Sequence, residues 1–221
     1  DNIHENPFWK MGVGTELIIE DGVTSIGSHA FSQNCYNLES ITWNNTLIKI
    51  GNEAFSGCGI KELNLPDSVK SIGKISFSNC RELEKVKLSE NLKTIPEYAF
   101  QACKKLQKIE FPKNLNAIEL CAFIDCRSLE NVTLPSSLEK LDSGAFEYCS
   151  KLNSITLPSS LKEIGQNIFL GCNRLLSLTF ADGYSNNITW GMFKDCTSLS
   201  SVIIPEGVRR IDGDAFRGCL R

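Results

Sequence analysis

The chain has 221 residues, of which 42% are hydrophobic and 22% are charged, an ordinary composition for a globular protein. Its formal net charge of −3 gives no general attraction for polyanions, so neither nucleic acid nor an anionic membrane is expected as its main partner. No apolar run approaches the roughly 18 residues that a transmembrane helix needs, so we expect no direct insertion into a membrane.

The first 16 residues differ in pattern from the rest of the chain. The start, "DNIHENPFWKMGVG", lacks the basic head and the apolar stretch of a signal peptide, and it has no initiator methionine. We therefore expect residues 1–16 to be an N-terminal arm or the remnant of a preceding region, in a processed piece of a longer protein.

From residue 17 onward, a unit of about 23 residues recurs in about nine copies. A phenylalanine marks each copy, an aliphatic residue stands five positions before it, and a cysteine stands three positions after it, or four in the first copy. The phenylalanines are Phe31, Phe55, Phe77, Phe100, Phe123, Phe146, Phe169, Phe193 and Phe216. A fixed period of this length indicates a solenoid, in which each copy forms one coil.

Each copy predicts the same three local structures. In "SITLP", Ile155 and Leu157 alternate with polar residues and Pro158 comes next, a pattern typical of a strand with one buried face. The next stretch, such as "LKEIG", predicts a second and shorter extended segment. The apolar spacing in "AFSGC" at 54–58 predicts a single helical turn. We therefore expect residues 17–221 to form one solenoid domain with a parallel β-sheet, short extended segments and single helical turns.

The unit L-x-x-I-x-L-P-x-x-L-x-x-I-G-x-x-A-F-x-x-C resembles the leucine-rich repeats of the BspA-like family, also called the Treponema pallidum type. The resemblance covers about residues 17 to 219. It implies a leucine-rich-repeat solenoid that forms a right-handed, curved superhelix. It also implies a surface or secreted protein of bacteria or some protozoa that adheres to host proteins or to other cells. The family supplies no catalytic motif.

The ten cysteines are better explained as structure than as chemistry. Nine of them stand in the repeat column, where disulfides between neighbouring coils are geometrically conceivable but unpaired core thiols fit an odd number of buried positions better. The tenth, Cys121, has no assigned role. There is no C-x-x-C pair, and histidine is limited to His4 and His29, so we expect no metal, no cofactor and no catalytic residues.

Outward positions of the predicted strands supply the first candidate binding site. Lys85, Lys87 and Lys108 fall close together in the middle of the sheet, and Glu110 lies beside them. Such a cluster is either a solvated face or a site for an anion or an acidic protein. A second basic stripe on the short segments has the same two interpretations: Lys49, Lys70, Lys93, Lys140, Lys162, Arg209 and Arg210.

A second candidate site lies where the repeat pattern breaks. "TFADGYSNNITWGMF" has Ala181 in place of the expected proline, adds one residue and puts Tyr184 in the leucine column. The register predicts that Trp190 is exposed, as it does more weakly for Leu120. Tyrosine and tryptophan are common interface residues, so Tyr184 and Trp190 are binding candidates. The alternative is a degenerate repeat whose aromatic side chains fold over the edge.

Three N-x-T sequons, at Asn44, Asn131 and Asn187, would accept glycans only in an organism that glycosylates secreted proteins. The sequence as a whole predicts a non-enzymatic binding scaffold, extracellular or at the cell surface. Its expected partner is a protein, such as a host extracellular or cell-surface protein. An intracellular (cytoplasmic) interaction scaffold is the alternative, because free thiols suit a reducing compartment. A carbohydrate-binding module is more distant.

Overall fold

A computed structural model describes residues 15–32 and 35–219. Within these ranges every regular element is a short β-strand, and there is no helix that could cross a membrane. The strands are β1 (Glu16–Ile18), β2 (Ser25–Ile26), β3 (Ser40–Thr42), β4 (Lys49–Ile50), β5 (Glu62–Asn64), β6 (Lys85–Lys87), β7 (Thr94–Ile95), β8 (Lys108–Glu110), β9 (Ala117–Ile118), β10 (Lys140–Leu141), β11 (Ser154–Leu157), β12 (Glu163–Ile164) and β13 (Ser177–Phe180). Residues 1–14 of the predicted arm lie outside the described residues.

The strands form two parallel stacks, one for each extended segment of the repeat. The main sheet consists of β1, β3, β5, β6, β8, β11 and β13, and the second sheet of β2, β4, β7, β9, β10 and β12. Pairing follows the repeat register, so that Leu63 lies beside Val86 and Val86 beside Ile109. Alternation along each strand buries these apolar residues and exposes their polar neighbours. The predicted parallel solenoid is therefore confirmed.

The nine phenylalanines form one continuous column through the core. Consecutive rings are stacked with centroids 5.1–5.8 Å apart and planes within 14° of parallel. The predicted count of about nine repeats is larger than the seven strands that the main sheet has in the described residues, because the segments near Asn131 and Ile203 form none. Each coil buries its own phenylalanine only when its neighbours are present, which ties stability to stacking.

The turn around each phenylalanine is not helical, and this prediction was wrong. The Ser56 and Cys58 amides donate to the Glu53 and Phe55 carbonyls, three residues back, while the Phe55 amide donates to Ser76 O of the next coil. In a helical turn these amides would point along the helix axis, and the carbonyl groups of the next coil would have no donors. Hydrogen bonds between coils therefore replace the helical turn with two tight turns.

Two columns of left-handed residues make these tight turns. The first turn column lies two positions before each phenylalanine and has φ between 51° and 62°. Its members are His29, Glu53, Ile75, Tyr98, Cys121, Gly144, Asn167, Gly191 and Asp214. The second turn column lies two positions after it and consists of Gly57, Asn79, Ala102, Asp125, Tyr148, Gly171, Asp195 and Gly218. Glycine, asparagine and aspartate suit this conformation, whereas Ile75, which is branched at Cβ, does not.

The cysteine column acts as a row of hydrogen-bond donors. The Cys103 thiol donates to the Phe77 carbonyl at 3.2 Å, and seven other column cysteines make the same bond to the coil before them. All ten cysteines are free. Burial raises the thiol pKa along the column from Cys80 to Cys219, to about 12 for Cys80. The column therefore needs a small side chain that donates a weak hydrogen bond, and cysteine provides both properties.

Candidate binding surface

The outward face of β5, β6 and β8 brings together the first set of predicted binding residues. Lys85 lies beside Lys108 and Lys87 beside Glu110 in the register of β6 and β8. All four side chains are exposed, while Val86 between the two β6 lysines is buried. The hydrogen bonds between these strands hold the four side chains in fixed rows. We call Lys85, Lys87, Lys108 and Glu110 the lysine face.

The charges of the lysine face are partly compensated. Lys85 Nζ lies 2.9 Å from a Glu62 carboxylate oxygen, and Lys108 Nζ lies 2.7 Å from one of Glu110. The hydrogen bond from Lys108, its charge and then that of Lys87 lower the pKa of Glu110. Among the described residues, no carboxylate lies within 4.0 Å of Lys87. These exposed ion pairs are weak and open readily, so the face can exchange them for pairs with a partner.

A groove that was not predicted adjoins the lysine face. It lies between β8 and residues 130–135 and has a volume of about 610 Å³. Phe111 and Pro135 supply apolar surface, while Lys113 and Glu130 supply charge. We call it the β8 groove. It combines an apolar wall with charged edges, an arrangement suited to a protein side chain.

A smaller groove, lined by no charged residue, lies at the end of the main sheet. It runs between β13 and residues 201–205 and has a volume of about 380 Å³. Leu176, Phe180, Ile203 and Pro205 line it, together with serine and threonine side chains. Ile203 is 88% exposed. We call it the β13 groove.

The two aromatic binding candidates are not brought together on one surface, because Tyr184 is buried. Its position in the leucine column points the side chain inward, where the ring lies 4.8 Å from that of Phe180. Tyr184 as a contact residue was therefore a wrong prediction. Trp190 is exposed as predicted, at 40%, and the Lys194 amine lies 5.5 Å from the centre of its ring. Leu120, the weaker candidate, is half-buried.

One of the three predicted glycan acceptors is buried. The Asn44 side chain donates to the carbonyls of Glu20 and Val23, and its oxygen accepts from the amides of Thr46 and Leu47. A glycan on the Asn44 nitrogen would replace one of the N–H groups that make these bonds in a buried side chain, so the Asn44 sequon is structural. Asn131 is exposed and Asn187 half-buried.

The second basic stripe and the histidine offer less than the lysine face. Lys162 lies 2.8 Å from a Glu139 carboxylate oxygen and Lys140 lies 3.2 Å from one of Asp142. His29 lies 3.4 Å from Glu53. In residues 15–32 and 35–219, no three histidine, cysteine, aspartate or glutamate side chains are placed to hold a metal ion.

Comparison with known proteins agrees with this geometry. The chain matches the model of the BspA type leucine rich repeat region, described with six copies, over residues 1–127 and 93–221. No curated protein matches it. A leucine-rich repeat protein from Bacteroides ovatus is 33% identical with a TM-score of 0.75, and the match covers 91% of this chain but only 57% of that one.

Two further solved structures are similar. The T. pallidum leucine rich repeat protein TpLRR is 28% identical with a TM-score of 0.61, over 85% of this chain and 78% of that chain. The pneumococcal vaccine antigen PcpA is 25% identical with a TM-score of 0.52, over 88% of this chain and 61% of that chain. Because the family model spans the whole chain, the chain belongs to the BspA-type leucine-rich repeat family.

Proposed function

We propose that this chain is a non-enzymatic binding scaffold that presents its main-sheet face to a protein partner outside the cell. The lysine face and the β8 groove form the contact surface. The observation that carries the proposal is their adjacency: Lys108 and Glu110 belong to both. Charged side chains on hydrogen-bonded strands therefore border an apolar recess, the combination by which protein surfaces select partners.

The charge pattern favours a partner that carries carboxylates near an apolar side chain. Lys87 and Lys113 have no carboxylate within 4.0 Å among the described residues, so they are the cations available to such a partner. The apolar side chain would contact Phe111 in the groove. Exposed lysines contribute mainly to the association rate and to specificity, and the recess contributes the buried apolar area.

One observation favours an extracellular location, and the cysteines do not oppose it. One similar structure is a pneumococcal vaccine antigen. The free thiols, which were the argument for the intracellular alternative, are mostly buried, and burial raises the pKa of Cys103, Cys126, Cys149 and Cys172. Thiols with little thiolate and no access to oxidants persist in an oxidising compartment, so the cysteine column is compatible with either location.

The test is a binding comparison on a panel of immobilised extracellular-matrix and host cell-surface proteins. The face variant is Lys85→Glu/Lys87→Glu/Lys108→Glu. The matched control is Lys49→Glu/Lys70→Glu/Lys93→Glu, which changes the net charge by the same amount on the second basic stripe. We expect at least a roughly tenfold loss of affinity for the face variant and less than about a twofold change for the control.

A general charge effect would weaken both triple variants equally and contradict the proposal. Binding that survives in the face variant would also contradict it. Trp190→Ala, which leaves Tyr184 in the core, tests the irregular C-terminal repeat separately. Loss of binding in Trp190→Ala alone would move the contact surface to that repeat.

A further inference from the structure

The main sheet is interrupted in three places although the repeat continues through all of them. Its hydrogen-bonded blocks are β1 with β3, β5 with β6 and β8, and β11 with β13. Between β8 and β11 only Asn131 forms bridges, one to each neighbour. Beyond β13, residues 200–204 form no strand. The repeat predicts a strand pair at each of these places, so each interruption requires a local cause.

The residue at the end of the strand before each interruption is aromatic. Trp43 follows β3, Phe111 follows β8, and Phe180 ends β13. The same column is aliphatic wherever the next strand is fully paired: Ile19 after β1, Leu65 after β5, Leu88 after β6 and Leu157 at the end of β11. Leu134, inside the second interruption, is also aliphatic, although only the Asn131 bridge joins its segment to β11. We call this column the strand-end column. Its aromatic members coincide with all three block boundaries.

The aromatic members do not fit the space that leucine fills. Leu65 and Leu157 are buried, whereas Trp43, Phe111 and Phe180 are half-buried. The Trp43 ring meets Phe55 of the phenylalanine column edge-on at 5.7 Å, and Phe111 meets Phe123 in the same way at 5.7 Å. The continuous phenylalanine column blocks deeper entry of Trp43 and Phe111, and the Tyr184 ring, 4.8 Å from that of Phe180, fills the corresponding space at the third position. Part of each aromatic ring therefore projects into the space between its own strand and the next one, where the hydrogen bonds between the two strands would form.

At the first two interruptions, backbone hydrogen bonds between the strands are kept at the start of the strand and are lost near the aromatic residue at its end. At the first interruption the Lys61 amide still donates to the Glu39 carbonyl at 3.2 Å, before the strands diverge. At the second, the Glu130 amide donates to the Gln107 carbonyl at 3.4 Å. Among the described residues no bond joins the Phe111 amide to Thr133, whereas the Leu65 amide donates to Lys87 in the intact block. In the same part of the chain the Leu88 amide lacks this bond to Glu110 even though β6 and β8 remain paired. This gradient is the geometry of a wedge, and the β8 and β13 grooves are two of the openings.

The second sheet remains bonded where the main sheet is open. β9 pairs with β10, and β10 with β12, across the coils of the second interruption. An isolated bridge joins Ile188 to Ile211 across the third. The second sheet is therefore bonded at all three interruptions of the main sheet, and its own breaks, between Ile72 and β7 and between β12 and Ile188, lie between other coils.

We propose that aromatic residues in the strand-end column act as wedges that divide the main sheet into blocks, and that the wedged ends are the points at which this face opens while the second sheet holds the coils together. The proposal does not depend on the binding function. It predicts that the positions of opening move when aromatic and aliphatic residues are exchanged in this one column.

The test is residue-resolved amide hydrogen exchange of the full chain. Phe111→Leu removes a wedge, so the amide at position 111 should bond to the Thr133 carbonyl and exchange about tenfold more slowly. Leu65→Phe introduces a wedge, so the amide at position 65 should lose its bond to Lys87 and exchange about tenfold faster. Leu83→Phe, at a buried leucine outside the strand-end column, is the matched control for overpacking.

Faster exchange at position 65 in Leu65→Phe but not in Leu83→Phe supports the proposal. Equal acceleration in both variants, or an unchanged rate in Leu65→Phe, overturns it. Phe111→Leu decides the question if Leu65→Phe does not fold, because it replaces an aromatic residue by the residue typical of the column. An unchanged rate at position 111 in this variant would show that Phe111 does not cause the interruption.

Discussion

Ile75→Asn should stabilise the protein, because Ile75 is the poorest fit to the first turn column. Its φ is 61°, a left-handed conformation that costs a non-glycine residue about 1–2 kcal/mol and that branching at Cβ makes worse. Asparagine tolerates this conformation, as Asn167 does in the same column with φ 53°. The backbone bonds from the Ile75 amide to Glu97 and from Ser78 to the Ile75 carbonyl are unaffected by the change.

The net magnitude is the balance of two opposing terms. Relief of strain contributes about 1.5–2 kcal/mol, and loss of the half-buried isoleucine side chain costs about 0.5–1 kcal/mol, since full burial is worth roughly 1.5–3 kcal/mol. We expect an increase of about 1 kcal/mol in the free energy of unfolding, measured by urea titration, and a rise in Tm of about 2–4 °C.

Ile75→Val is the matched control for this change. Valine keeps the branching at Cβ and therefore the strain, but it loses one methylene, so stability should fall by about 0.5 kcal/mol. If Ile75→Asn unfolds at the same urea concentration as Ile75→Val, or at a lower one, left-handed strain at this position is not a significant cost and the reasoning fails.

Three further predictions concern buried groups. Cys103→Ala should lower the free energy of unfolding by about 1–2 kcal/mol, because it removes a thiol donor and leaves a small cavity; a urea titration that matches wild type would contradict this role. Tyr184→Phe should raise the free energy of unfolding by about 1 kcal/mol, measured by calorimetry, because the buried hydroxyl has no partner among the described residues. A lower free energy of unfolding would show that the hydroxyl is hydrogen-bonded in solution. Burial raises the thiol pKa and reduces the thiolate present at about pH 8, so iodoacetamide should label the half-buried Cys121 and Cys219 long before the six buried cysteines Cys80, Cys103, Cys126, Cys149, Cys172 and Cys196. Mass spectrometry that finds equal labelling rates would contradict this order.

The columns of the core could be predicted because the repeat itself encodes them. A residue that occurs at one place in every coil either faces the neighbouring coils or faces solvent, and Phe55 and Cys58 are apolar at places where only burial explains the recurrence. The same register placed the lysine face correctly on β6 and β8. Trp190 was placed correctly for the same reason, since its column is polar in most other coils.

The turns and the grooves could not be predicted from the same pattern. The apolar spacing of "AFSGC" fits a helical turn, but it does not show that the Phe55 amide bonds to the next coil, and that bond determines the backbone. The prediction for Tyr184 was wrong because a departure from the pattern does not by itself indicate exposure, and the leucine column points inward. Phe111 in a column of leucines was the available signal for the β8 groove, and its effect depends on the fixed phenylalanine column behind it.

Site-specific photo-crosslinking tests the central claim most directly. A photoreactive amino acid is placed at position 87 on the lysine face or, as a matched variant, at position 70 on the second basic stripe, where both native lysines are exposed. Each variant is then irradiated with the extracellular protein that binds wild type most tightly on the panel. The account predicts crosslinks from position 87 and none from position 70. Crosslinks from position 70 alone, or equally from both, would contradict the assignment of the main-sheet face as the binding surface.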